Sequence, residues 1–293
     1  MIESLLQSVT FSTKSTCVAI FCVLINILPG CGDRSVRKVE QVRSFNELLV
    51  DSILNNMKFK MLEKDGISFY YEEDAFFSSN INKLAGEALN ARNECLRLLG
   101  VDETSYRIRV IYFNDREKLR PFLNMAPKGI ALPEANTLLI ATNDTLRAYH
   151  THEMMHIISI SRFGGYAAAP ADWIQEGISV YADNPCMGYS IHAIGAYLYY
   201  SDQIPSIDSL FNHFRALPDM IAYMHAGSFT WFMIDKYGIE KFELLWKQGA
   251  GNLPTVTGKT KEVLEMEYHD FLMQKYPVQP EIDWELLNNK GCG

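Results

Sequence analysis

The sequence predicts an α+β fold, in which a small mixed sheet packed by helices is followed by a mainly α-helical lobe. Strand-like and helix-like patterns mix up to about residue 166, and almost every pattern after it repeats at helical spacing. The chain of 293 residues is 48% hydrophobic and 21% charged, enough apolar material to bury a full core. The expected division is an α+β lobe at 57–166 and a helical lobe at 167–293. No internal repeat or low-complexity tract interrupts either.

The first thirty residues read as a targeting segment and not as part of the fold. Lys14 precedes an apolar run from Cys17 to Leu28, too short for a comfortable membrane span and suited to a signal-peptide core. The run ends in Leu28, Pro29, Gly30 and Cys31, which resembles a bacterial lipoprotein box. The resemblance implies cleavage after residue 30 and a lipid on Cys31, anchoring the chain to a membrane outside the cytoplasm, in the bacterial cell envelope; secretion is the alternative. Residues 31–56 are polar and mildly helical, and are expected to be a tether. With residues 1–30 removed and Cys31 lipidated, the six cysteines reduce to Cys95, Cys186 and Cys292, which allow at most one internal disulfide. Their spacing fits no thiolate metal site.

Phe59–Leu62 and Ile67–Tyr71 flank Asp65 and Gly66, a tight-turn pair, and predict a β-hairpin. Leu84, Ala88, Ala91, Cys95 and Leu98 recur at helical spacing and predict a helix over 81–99, with Gly100 just past its end. Tyr106–Phe113 alternates like a strand with one buried face, and Thr137–Thr142 is a second short apolar run. Helical patterns then cover 173–182, 191–200, 207–216, 222–237, 239–248 and 259–275.

Between the two lobes lies His152-Glu153-Met154-Met155-His156, in a segment apolar enough to be a buried helix. Residues four apart share a helix face, so His152 and His156 can present imidazole nitrogens to one ion while Glu153 projects about 100° away. Zinc at a hydrolytic site takes three protein ligands and keeps one position open. A neighbouring Glu then acts as general base. His150, two residues before His152, falls on nearly the opposite face and is read as a polar or supporting residue. Downstream, Asp172 and Gln175 have the spacing of a capping box that opens a second helix. Glu176 would sit in its first turn, separated from His156 by nineteen residues. There it either complements the helix dipole or reaches the ion as third ligand.

H-E-x-x-H followed by Trp173, Glu176, Gly177 and Tyr181 resembles the gluzincin metallopeptidases, the clan of thermolysin and the zinc aminopeptidases, and particularly their compact peptidase MA-like members. The resemblance runs from about Phe59 to Tyr276 and includes Ile221–Phe232 and Lys236–Gly238. It implies a zincin-like fold with the cleft between two lobes, Zn²⁺ held by His152, His156 and Glu176, and Glu153 as general base. It further implies an oxyanion donor from the helical lobe, with Tyr223 the first candidate and His225 the second. The position at which thermolysin-like enzymes carry an Asp that supports a zinc-ligating histidine is Val180 here, which leaves Asp183 or another group to orient the imidazoles.

The expected activity is therefore zinc-dependent hydrolysis of peptide bonds in a peptide or protein substrate. Residues 129–136 are expected to form the cleft edge on which an extended substrate adds as a strand. Glu134 there is a candidate anchor for a substrate amino group, but no recognisable aminopeptidase motif accompanies it, and endopeptidase cleavage is preferred. A formal charge of −8 without a long Lys/Arg block gives no footprint for nucleic acid. The alternative from another class is a binding or assembly lipoprotein on the same scaffold, without peptidase activity.

Overall fold

The computed structural model describes residues 43–164 and 171–292. The targeting segment, Cys31 and the first part of the expected tether lie outside the described residues.

The expected hairpin is present: β1 (Phe59–Lys64) and β2 (Ile67–Glu72) pair antiparallel across Asp65 and Gly66. The chain then forms α2 (Ala75–Leu99), which begins six residues earlier than its apolar spacing suggests because Asp74 caps the Phe77 N–H. Next come β3 (Ile108–Phe113), the single-turn helix α3 (Arg120–Leu123), β4 (Gly129–Leu132) and β5 (Thr137–Ala141). The sheet order is β1-β2-β3-β5-β4, with β2, β3 and β5 parallel and both outer strands antiparallel to their neighbours.

Strand alternation sorts the sheet's side chains between two cores. Ile108, Val110 and Tyr112 of β3 and Leu138 and Ile140 of β5 join the main core, against α2 and α4 (His150–Phe163). Ile111, Phe113 and Leu139 point the other way. The single buried face expected of β3 is thus corrected to two. What covers the second face is α1 (Phe45–Asn56), whose Leu49, Val50 and Ile53 are buried against it and whose start is closed by a reciprocal Ser44–Glu47 capping box. The expected tether is, from Ser44 onward, part of the fold.

The helical lobe comprises α5 (Asp172–Ala182), α6 (Ile191–Tyr200), α7 (Ile207–His213), α8 (Asp219–Tyr237), α9 (Ile239–Gln248), α10 (Leu253–Thr257), α11 (Lys261–Lys275) and α12 (Trp284–Lys290). Its packing axis is the α5–α8 pair. A Cβ at Gly177 would lie 2.8 Å from the Ala226 carbonyl oxygen and closer still to the Thr230 hydroxyl. Only a residue without a side chain lets the two helices approach this far. Trp173, fully buried and stacked on Phe211 at 4.3 Å between ring centres, fixes the start of α5. The two residues that frame Glu176 in the sequence motif therefore seat the helix that carries it.

The described cysteines resolve into one disulfide, Cys186–Cys292, and a buried free thiol at Cys95, within the limit set by their odd number.

Candidate active site

On α4, His152 and His156 lie one helical turn apart, and their Nε2 atoms are 3.3 Å from each other. From the first turns of α5, Glu176 brings Oε2 to 3.3 Å from the first and 3.5 Å from the second. These three atoms form a nearly equilateral triangle among side chains only 13–15% exposed. An ion bonded at about 2.0–2.2 Å to tetrahedral ligands separates them by roughly 3.3–3.6 Å, so the triangle has the edges of one face of such a coordination shell. The group could hold a metal ion, and it is the one such group among the described residues. Burial works against charge on Glu176, but hydrogen bonding to both histidines outweighs it and holds the carboxyl well below its ordinary range.

Glu153 leaves the same helix towards the sheet. Its carboxyl is buried beside β4, where the Ala131 backbone N–H hydrogen-bonds it. A Cβ at Gly129 would stand 2.7 Å from its Oε1 and 2.9 Å from its Cγ. Burial pushes the Glu153 carboxyl above the usual carboxylate range, against the pull of the two histidines. Ala141 N–H donates to the Lys128 carbonyl oxygen. By antiparallel alternation, the main-chain groups of Gly129 and Ala131 therefore face away from β5, along the open edge of the sheet. That edge, His152, Glu153, His156, Glu176 and Tyr223 enclose a cavity of about 360 Å³. Of residues 129–136, expected at the cleft edge, Gly129, Ile130, Ala131 and Pro133 line this cavity, whereas Glu134 is exposed and does not.

Tyr223 and His225 part company. Tyr223 lines the cleft, its ring 6.3 Å from that of His152. Burial and the nearby Glu176 charge push its hydroxyl up to about 12, so it remains protonated at neutral pH. His225 is fully buried on another side of α8, its ring stacked on Tyr268 at 5.7 Å, and neither ring nitrogen has a hydrogen-bond partner. It is therefore withdrawn as an oxyanion donor: two residues along a helix turn a side chain nearly to the opposite face.

The location of His225 has a consequence for stability. Burial holds His192 and His225 down to about 3, whereas unfolded histidines titrate near 6.5. Their neutral burial thus leaves stability intact above about pH 6.5 and erodes it as pH falls towards 3, by up to about 1.4 kcal/mol per pH unit each. Because neither nitrogen of His225 has a partner, His225→Leu is expected to change stability little at pH 7. It should flatten the acid slope by that amount between pH 6 and 4 in urea-unfolding titrations. A slope equal to the wild-type one would show that His225 does not resist protonation.

His150 is buried with Nε2 2.7 Å from the Tyr112 hydroxyl and takes no part in the triangle. Asp183, a candidate to orient the imidazoles, is held by Arg147 at 2.5 Å beside His152. The expected cap at Asp172 does not form. Asp172 is the first residue of α5, its carboxylate taken at 2.8 Å by Arg215.

Arg215, which sequence spacing does not reveal, is the added member of the site. It reaches Asp172, the second oxygen of Glu176 at 3.4 Å and the Tyr223 hydroxyl at 3.3 Å. It thereby engages Glu176 Oε1, away from the triangle, and donates to Tyr223, whose own proton is left to point elsewhere. No family model matches the chain, and no curated protein is similar to it in sequence.

Proposed function

We propose that the chain is a zinc-dependent peptidase that cleaves extended peptides laid along β4. The observation that carries this reading is the ligand triangle of His152, His156 and Glu176 with a buried carboxylate, Glu153, between it and an open sheet edge. Two imidazole nitrogens and one carboxylate oxygen, with edges of 3.3–3.5 Å, are a donor set that zinc takes at hydrolytic sites. When bound, zinc supplies Lewis acidity, lowering the pKa of water towards neutrality and polarising a carbonyl.

The residues of the chain supply the rest. The outward main-chain groups of Gly129 and the Ala131 carbonyl oxygen pair with an extended substrate, the Ala131 N–H being held by Glu153. Glu153 takes a proton from the attacking water at its carboxylate and returns it to the departing amine nitrogen. Tyr223 donates to the oxyanion that develops at the attacked carbonyl. An open-edged cleft fits internal cleavage, and the exposed Glu134 gives no anchor for a terminal amine. The Cys186–Cys292 disulfide supports an oxidising compartment, in keeping with export and lipid attachment at Cys31.

The test is cleavage of a mixed peptide library by the zinc-loaded protein, followed by mass spectrometry, with and without a chelator. Cleavage that stops on chelation and returns with zinc supports the reading; no product from fully zinc-loaded protein would overturn it in favour of a binding role.

Two substitutions probe the parts. Tyr223→Phe should lower kcat about a hundredfold while metal content stays at the wild-type level; unchanged kcat would remove Tyr223 from the reaction. Gly129→Ala must displace Glu153, since the added carbon and Oε1 cannot both keep their places. A kcat reduced by about ten- to a hundredfold at full metal content is expected, and wild-type turnover would mean that the position of Glu153 is not critical.

A further inference from the structure

A second cavity, of about 410 Å³, adjoins the first and shares His152, Glu153, Gly129 and Tyr223 with it. Away from those residues Val180, Ile191, Met220 and Met224 build an apolar floor, Gly291 with Cys292 forms one wall, and Lys128, Asp183 and Asp219 also line the space. At this size, near the lower end of ligand pockets at about 300–1,000 Å³, it suits a side chain better than a second stretch of chain.

The wall is the end of the segment that follows α11. After α11 the chain crosses to α12, whose Leu287 is fully buried in the same small cluster as Val180, Cys186, Ile191 and Met224. It then reaches the disulfide with Cys186, in the loop between α5 and α6. On the other side, Lys128 donates to the Lys290 carbonyl oxygen at 3.2 Å and Arg147 to that of Cys292 at 3.1 Å. Lys128 immediately precedes β4, and Arg147 lies three residues before α4. Residues 284–292 therefore form a strap joining the helical lobe to both catalytic elements of the other lobe, and they bound the cavity where they cross.

Building on the peptidase reading, we propose that this strap, clamped by Cys186–Cys292, is the wall that sizes an apolar side-chain pocket. The cleft thereby selects substrates with a medium-sized apolar residue flanking the scissile bond. Of the charged residues that also line the cavity, Lys128 is engaged by the Lys290 carbonyl, Asp183 is paired with Arg147 and Asp219 is exposed. The floor itself thus favours an apolar side chain, and the disulfide prevents the wall from receding to admit the largest ones.

The experiment uses zinc-loaded full-length protein and peptides that differ only at one residue flanking the scissile bond, each side in turn, as Ala, Leu, Phe, Trp or Asp. Wild type should prefer Leu or Phe to Ala and Asp by at least about tenfold in kcat/KM on one side. In the Cys186→Ser/Cys292→Ser protein the Trp-to-Leu ratio should rise by about tenfold. Met220→Trp, which fills the floor and leaves the disulfide alone, should shift preference towards Ala. Identical profiles in all three proteins would overturn the proposal.

Calorimetric binding of the same peptides to zinc-loaded Glu153→Gln separates the two readings. Binding that tracks the apolar residue without cleavage by wild type would refute the peptidase and keep the pocket. Cleavage with no flanking preference would do the reverse, and neither binding nor cleavage would refute both.

Discussion

Glu153→Gln is expected to reduce kcat for peptide cleavage by about a thousandfold, within the 10²–10⁴ range of general-base catalysis, while the protein keeps its full metal content. The substitution is nearly isosteric, so the side chain still fills the space that Gly129 leaves open beside β4. An amide accepts no proton from water at neutral pH. Glu153 is not among the three donors, so the triangle of His152, His156 and Glu176 loses none. The two readouts are kcat on a peptide and metal content by plasma mass spectrometry of the same preparation. Undiminished metal-dependent hydrolysis at full occupancy would assign the base elsewhere and sink the mechanism.

The parts of this site that were legible in the sequence are those set by local helical geometry. Four-residue spacing put His152 and His156 on one face, and the one-residue offset put Glu153 beside them. Trp173 and Gly177 entered through the resemblance, and the structure gives them a physical reason: a stacked indole and a missing Cβ seat the helix that carries Glu176. The same geometry, applied to Tyr223 and His225, distinguishes the cleft-facing residue from the buried one just as it separates His150 from His152.

Other features depend on tertiary encounters with no local trace. Arg215 follows α7 and reaches residues 39 and 43 positions earlier. That encounter is also why Asp172 does not cap its own helix. Leu49, Val50 and Ile53 have the spacing of a buried face, but nothing nearby in sequence indicates that β3 and β5 have a second apolar side to receive it. The pairing of Cys186 with Cys292 spans 106 residues and could be bounded, not assigned, from the sequence.

Glu176→Ala is expected to lower zinc from about one per chain to near none, because two imidazoles alone leave an exchangeable site in place of a three-ligand one. The consequence extends beyond binding. In the wild type the carboxylate joins α5 to α4 through both histidines and to the segment after α7 through Arg215, so a metal held there ties the two lobes together. Zinc at a thousand times its Kd would add about 4 kcal/mol to the folded state, which for a folded region of this size raises Tm by roughly 10 °C. Glu176→Ala should show almost none of that rise, and His152→Ala should behave alike, since each removes one corner of the same triangle. Thermal unfolding with and without zinc therefore tests the ligand set without reference to any substrate. A Glu176→Ala protein that retained one tightly held zinc and the full thermal shift would place the third ligand elsewhere. It would leave Glu176 with the lesser role of neutralising Arg215 at the mouth of the cleft.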